Sequence, residues 1–167
     1  HVTAPRLAPV CILAGGLATR LGERARTMPK ALVEVAGAPF ISHQLALLRR
    51  HGASRVVLCV GHLGEQIEAA VGDGSSYGLQ VDYSYDGPAL IGTAGAVRGA
   101  LELLDDVFFV LYGDTYLRID YAAVERAFTR SGLPALMTVL RNEGRWDTSN
   151  AVFEHGRVLT HDKRHPA

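Results

Sequence analysis

Val10-Cys11-Ile12-Leu13-Ala14-Gly15-Gly16-Leu17-Ala18-Thr19-Arg20-Leu21, closed by Met28-Pro29-Lys30, is the stretch from which the rest of the chain can be read. Val10 to Leu13 is a short unbroken apolar run, the pattern of a strand buried on both faces. Two glycines follow, then a loop that runs to Pro29, with Arg20 inside it and Lys30 just beyond. Glycine lets main-chain N–H groups come close to an anion, and the two cations can neutralise its charge. The set predicts a cradle for a polyphosphate at the end of a strand. A Gly-Gly pair alone would mark only a tight turn, and single charges usually sit on the surface; it is the spacing that favours phosphate. Neither G-x-x-x-x-G-K-[ST] nor a G-x-G-x-x-G after the first strand is present, so those two nucleotide motifs are set aside.

Outward from this loop, apolar strands alternate with amphipathic helices. Pro39 opens a helix with Ile41, Leu45 and Leu48 on one face, Arg49 and Arg50 near its end and Gly52 as the stop. Arg55 to Val60 reads as a second buried strand. Leu63, Ile67, Ala70 and Val71 mark a helix that stops near Gly72. Leu79 to Tyr83 alternates, which suits a strand nearer an edge. Thr93 can cap a helix carrying Val97, Leu101 and Leu104, and Asp120 one carrying Val124, Ala127 and Phe128. Ala31 to Val35 reads as a short extended piece, and Asp106 to Tyr112 and Ala135 to Leu140 as strands. Ala151 to Glu154 and Arg157 to Thr160, joined at His155-Gly156, read as a hairpin. Alternation of this kind predicts an α/β fold with an open, mostly parallel sheet and right-handed crossovers.

The bulk composition narrows the function. The 167 residues suit one domain spanning the whole chain, and 48% apolar with 20% charged content is that of an ordinary soluble globular protein. Seventeen basic residues balance seventeen acidic ones, so no electrostatic excess points to nucleic acid or an anionic membrane. No apolar run approaches membrane-spanning length, and no signal-peptide pattern stands at the N-terminus. Cys11 and Cys59 both fall in apolar runs and read as buried reduced thiols, which suggests a cytoplasmic setting. The histidines lack metal-ligand spacing.

Four of the expected strands end at polar or glycine-rich points: Gly15-Gly16, Gly61-His62, Tyr85-Asp86 and Gly113-Asp114. In open α/β sheets ligands bind at the carboxyl ends of the strands. Asp114 could simply cap a turn, or it could hold Mg²⁺ between its carboxylate and substrate phosphates. Gly92-Thr93-Ala94-Gly95 could be ordinary capping, or could set a nucleotide against a helix N-terminus.

Taken together, Leu13 to Leu21 with Met28-Pro29-Lys30, Ile91 to Ala96, Leu111-Tyr112-Gly113-Asp114, and Asn150 to Phe153 with Thr160 to Lys163 resemble the motifs of the sugar-1-phosphate nucleotidyltransferases, or nucleotide-sugar pyrophosphorylases. The matches run from residue 10 to 163. Gly61-His62-Leu63-Gly64-Glu65 and Tyr112-Gly113-Asp114-Thr115 lean toward the short branch resembling mannose- and heptose-1-phosphate guanylyltransferases.

The resemblance implies a three-layer α/β/α, Rossmann-like fold of the nucleotide-diphospho-sugar transferase type. It also implies a reaction: an oxygen of a sugar 1-phosphate attacks the α-phosphorus of a nucleoside triphosphate in line, and pyrophosphate leaves. Leu13, Ala14, Gly15 and Gly16 would hold base and ribose, with Gly92, Thr93 and either Tyr85 or Asp86 beside the base. Arg20 would bind the departing phosphates, Lys30 would neutralise the reacting ones, and Asp114 would hold Mg²⁺. Asn150, Asp162 and Lys163 would lie on the sugar-phosphate side.

Two departures from the family stand out. Ala18 replaces a usual glycine, and family members continue beyond residue 167 to a second metal-binding aspartate, so the single domain is expected to lack its C-terminal part. Two rivals stay open: a non-catalytic nucleotide-sugar-binding regulatory subunit and a phosphocholine-type cytidylyltransferase. The base, the sugar and any homo-oligomer are likewise open.

Overall fold

The computed structural model describes residues 6–16, 27–87, 92–146 and 148–162. Arg20, Ala18 and Lys163 therefore lie outside the described residues. In chain order the strands are β1 (Val10–Leu13), β2 (Glu34–Val35), β3 (Ala38–Pro39), β4 (Arg55–Val60), β5 (Gln80–Tyr85), β6 (Phe109–Tyr112), β7 (Ala151–Glu154) and β8 (Arg157–His161). The α-helices are α1 (Phe40–Arg50), α2 (Gly64–Val71), α3 (Gly92–Ala100) and α4 (Tyr121–Ser131). The chain divides into two compact units, one up to Ala122 and one from Ala123.

The first unit holds a four-stranded, wholly parallel sheet in the order β5-β4-β1-β6. Its central strands β1 and β4 are apolar on both faces, and the alternation of side chains sorts them into two cores. Val10, Ile12, Val56, Leu58 and Val60 pack on one face with Ile41, Leu45 and Leu48 of α1 and Ile67 and Val71 of α2. Cys11, Val57 and Cys59 pack on the other with Ala96 and Ala100 of α3. Helices on both faces make the expected three-layer α/β/α sandwich. The second core is built from small residues, so α3 lies close to the sheet; the Cys59 thiol donates to the Ala96 carbonyl at 3.6 Å. Cys11 and Cys59 are buried free thiols whose sulfurs are 3.5 Å apart.

Several expectations need correction. Residues 135–140 form no strand: they are exposed, and none of them joins a ladder among the described residues. An apolar run becomes a strand only where a neighbour supplies its hydrogen bonds. β6 begins at Phe109 rather than Asp106, because its partner begins there too: Phe109 N–H donates to the Pro9 carbonyl at 2.9 Å, and residues 106–108 overhang the ladder. The piece expected at Ala31 to Val35 is a 3₁₀ turn over Lys30–Leu32 followed by a small β2–β3 hairpin. Thr93 does not cap α3; the helix already includes Gly92, so Thr93 lies within the first turn and the cap position lies outside the described residues. Leu101 is 49% exposed because α3 tightens into a 3₁₀ turn at that residue, rotating it off the buried face.

The second unit carries the β7–β8 hairpin as expected, antiparallel and turning at His155-Gly156. Both turn residues have positive φ, 49° and 79°, the signature of a type I′ turn whose twist matches the flanking strands.

Candidate active site

The sheet order creates the site. From β1 the chain builds outward to β4 and β5, then returns to lay β6 on the opposite side of β1. Where strand order reverses in this way, the loops leave a crevice at the carboxyl ends of the strands. The crevice here lies between the ends of β1 and β6. An open cavity of about 170 Å³ occupies it, lined by Leu13, Ala14 and Gly16 from the β1 side, Lys30, and Gly113 and Asp114 from β6.

Close backbone contact sets its geometry. Gly113 N–H donates to the Leu13 carbonyl at 3.0 Å. A Cβ on Gly113 would lie 2.6 Å from that oxygen and 2.9 Å from Ala14 Cα, so only glycine allows β6 to turn here. The next residue, Asp114, is thereby presented to the glycine loop. Lys30, 84 positions away, reaches it: Nζ lies 2.7 Å from Asp114 Oδ2. The backbone helps place the lysine, since Lys30 N–H donates to the Gly16 carbonyl at 3.4 Å. The Lys30 hydrogen bond, against a smaller opposing effect of burial, holds the Asp114 carboxyl below the usual carboxylate range. Asp114 is therefore an ionised, half-exposed oxygen donor.

A second carboxylate stands on the other side of the glycine loop. Ala14 N–H donates to the Cys59 carbonyl at 2.8 Å, which leans the loop toward β4. Asp86, just past β5, has Oδ2 3.3 Å from where a Gly15 Cβ would be. Its Oδ1 is buried with no hydrogen-bond partner among the described residues, and burial pushes its pKa up. Tyr85 points elsewhere: it is exposed, its hydroxyl donates to Glu68 on α2, and that bond, with burial, pushes its pKa up to about 12. Gly92 and Thr93 start α3 and are exposed.

In the second unit, Asp162 N–H donates to the Asn150 carbonyl at 3.0 Å at the open end of the hairpin, so two of the three expected sugar-side residues are brought together. Among the described residues, no group of three or more His, Cys, Asp or Glu gathers that could hold a metal. One participant escaped the sequence reading. Gln44 lies on the buried face of α1 and donates to the carbonyls of Tyr112 and Thr115, on either side of Asp114. The available signal was a polar residue inside an apolar helical stripe.

A parallel sheet with helices packed on both faces and a crevice where its strand order reverses is the doubly wound α/β architecture. Residues 10–164 match the model of the MobA-like NTP transferase domain, and the chain belongs to that family.

Among its relatives, an N-acetylmuramate alpha-1-phosphate uridylyltransferase of Neisseria meningitidis serogroup B is 40% identical over 74% of this chain and 53% of its own length. A UTP–glucose-1-phosphate uridylyltransferase of Synechocystis is 30% identical over 90% and 40%. A D-glycero-alpha-D-manno-heptose 1-phosphate guanylyltransferase of Campylobacter jejuni is 28% identical over 92% and 67%. The chain thus spans about half the length of the first two of these relatives.

Among solved structures, HddC from Yersinia pseudotuberculosis complexed with GMP-PN superposes with a TM-score of 0.65 at 31% identity, over 72% of this chain and 54% of that one. A putative glucose-1-phosphate thymidylyltransferase from Bacillus anthracis superposes at 0.73 over 95% and 65%; at 21% identity it speaks for the fold alone.

Proposed function

We propose that this chain carries the nucleotide site of a sugar-1-phosphate nucleotidyltransferase, transferring a nucleotidyl group from a nucleoside triphosphate to a sugar 1-phosphate with release of pyrophosphate. The observation that carries the reading is the Lys30–Asp114 pair at 2.7 Å, held against the glycine loop at the β1/β6 switch point. Two polyanions must meet in this reaction, so its barrier is largely electrostatic and positional. A fixed cation beside a backbone cradle answers that need, and no nucleophilic side chain is required. In this reading Lys30 neutralises charge at the reacting phosphates, and Arg20 binds the β- and γ-phosphates that leave. The buried, unpaired Oδ1 of Asp86 supports placing a nucleotide's N–H donors above Gly15. Asn150, Asp162 and Lys163 serve the sugar phosphate. The free buried cysteines suit work in a reducing compartment such as the cytoplasm.

Asp114 fits a hard cation. Mg²⁺ is commonly held through one or two carboxylates together with substrate phosphates, and this carboxylate is ionised and accessible. When bound, the ion would supply further charge neutralisation at the phosphates.

The test is pyrophosphate release from the purified chain with Mg²⁺, offering GTP, UTP, CTP and dTTP in turn with a panel of sugar 1-phosphates. One triphosphate and one sugar phosphate should give turnover well above the others, and that triphosphate alone should raise the melting temperature. A triphosphate-induced shift without pyrophosphate would favour a non-catalytic binding subunit, and no shift with any triphosphate would reject the nucleotide site.

A further inference from the structure

We infer that Gln44 is a positioning residue that holds the Asp114 turn in register with Lys30; the inference rests on the functional reading of Asp114 above. Gln44 sits in α1 between Ile41 and Leu45, both fully buried, and is itself only 2% exposed. Its side-chain amide donates twice, to the Tyr112 carbonyl at 3.1 Å and to the Thr115 carbonyl at 2.7 Å. These carbonyls bracket Gly113 and Asp114. The same turn is closed by Thr115 N–H donating to the Tyr112 carbonyl at 3.2 Å. Gln44 thus grips both ends of the two-residue segment that carries the carboxylate. One of those two residues is a glycine, with the widest backbone freedom of any residue.

The other half of the amide is what separates a positioning role from ordinary packing. Gln44 Oε1 is buried and has no hydrogen-bond partner among the described residues. An unsatisfied buried acceptor is destabilising, and a methionine of similar length would fill the same space without that penalty. A half-satisfied amide at a core position is poor design for stability alone. It is good design for fixing two carbonyls whose spacing sets where Asp114 points.

The experiment compares Gln44→Met and Gln44→Asn with wild type and with Asp114→Asn in the full chain. Four quantities are read: turnover in the pyrophosphate assay, the Mg²⁺ concentration giving half-maximal rate, KM for the sugar phosphate, and melting temperature. Mn²⁺ binding in the presence of a non-hydrolysable triphosphate, followed by electron paramagnetic resonance, gives a readout independent of turnover. Gln44→Met should melt at or near the wild-type temperature. Its turnover should fall and its Mn²⁺ binding weaken, each by about 10- to 100-fold, the range seen when partners of metal ligands are removed. Its Mg²⁺ requirement should rise while KM for the sugar phosphate stays put. Gln44→Asn keeps the amide one methylene short and should show the same pattern more weakly, which keeps the test available if the methionine variant fails to fold.

Wild-type turnover and metal dependence in a folded Gln44 variant, with Asp114→Asn impaired, overturns the role of Gln44 and leaves the functional reading intact. A loss that only tracks the folded fraction, with metal dependence unchanged, overturns it as well. Wild-type behaviour of Asp114→Asn, or no Mn²⁺ binding by the native chain, overturns both.

Discussion

β1 enters its crevice from the middle of a sheet, with Val10, Cys11 and Ile12 all fully buried, whereas the β7–β8 hairpin leaves Phe153 53% and Leu159 58% exposed. The first arrangement is held by contacts between residues far apart in the chain, the second by a two-residue turn. Position at the crevice follows from packing on both faces of β1 and from strand order, so its side chains are located by the whole core. Position along the hairpin follows from local backbone geometry at His155-Gly156. On the proposed function, a substitution at the crevice should therefore disturb chemistry and stability together, while one at the hairpin turn should be felt locally.

The sharpest way to break that contrast is Lys30→Met. Removing the cation should lower turnover about 100- to 1,000-fold, by analogy with loss of one transition-state donor. The pyrophosphate assay checks it, and near-native turnover would take the crevice out of the chemistry. Next comes Gly113→Ala, whose methyl would press on the Leu13 carbonyl and Ala14 Cα. Overpacking of this kind costs about 1–3 kcal/mol; urea denaturation should show it, together with loss of activity, and an unchanged midpoint would mean that the β1–β6 contact is looser than described.

A smaller, pH-dependent effect is expected at Asp86. Burial raises its folded-state pKa, so ionising it costs more in the folded chain than in the unfolded one. Stability from this group is present below the unfolded-state pKa and is lost as pH rises through the folded-state value. Asp86→Asn should therefore raise the melting temperature at pH 7, with the gain vanishing as pH falls below the ordinary carboxylate range. A gain that persists there would point to packing instead of charge. Smallest is His155→Asn in the hairpin, which should stabilise by less than about 1 kcal/mol because asparagine accepts positive φ more readily. Equal turnover with slower proteolysis at the turn is the expected result; a loss of turnover would show the turn to be more than local.

The two regions also differed in how legible they were. Buried strands and their following helices were plain: Arg55–Val60 and the helix starting after Pro39 stand where the apolar pattern puts them. The β7–β8 turn was readable because Gly156 supplies positive φ in an otherwise alternating stretch. The β2–β3 turn was not, although Gly37 supplies the same positive φ, because strands of two residues each are too short to show an alternating pattern. Residues 135–140 carried the local pattern of a strand but lack a ladder partner among the described residues, and partnership is not a local property. For the same reason Lys30, Asp114 and Gly113 could be listed from sequence, but their meeting could not be derived from it. It depends on β6 returning to the far side of β1. Gln44 was hidden differently, because its value lies in two backbone carbonyls some 70 positions away, which no side-chain pattern records.

The register of β1 against β6, Val10 with Phe109 through Leu13 with Tyr112, has a consequence in time. During synthesis at roughly 5–20 residues per second, β1 waits for about a hundred further residues before its second neighbour exists, a delay of roughly 5–20 s. β4 and β5 can join it earlier, so the sheet grows first on the side away from the crevice. Until β6 arrives, one edge of an apolar strand stays open to other chains, which is where a nascent or slowly folding molecule would be drawn into aggregation. The last ladder of this sheet to close is the one that brings Asp114 to Lys30, so the assembly of the crevice coincides with the removal of that hazard.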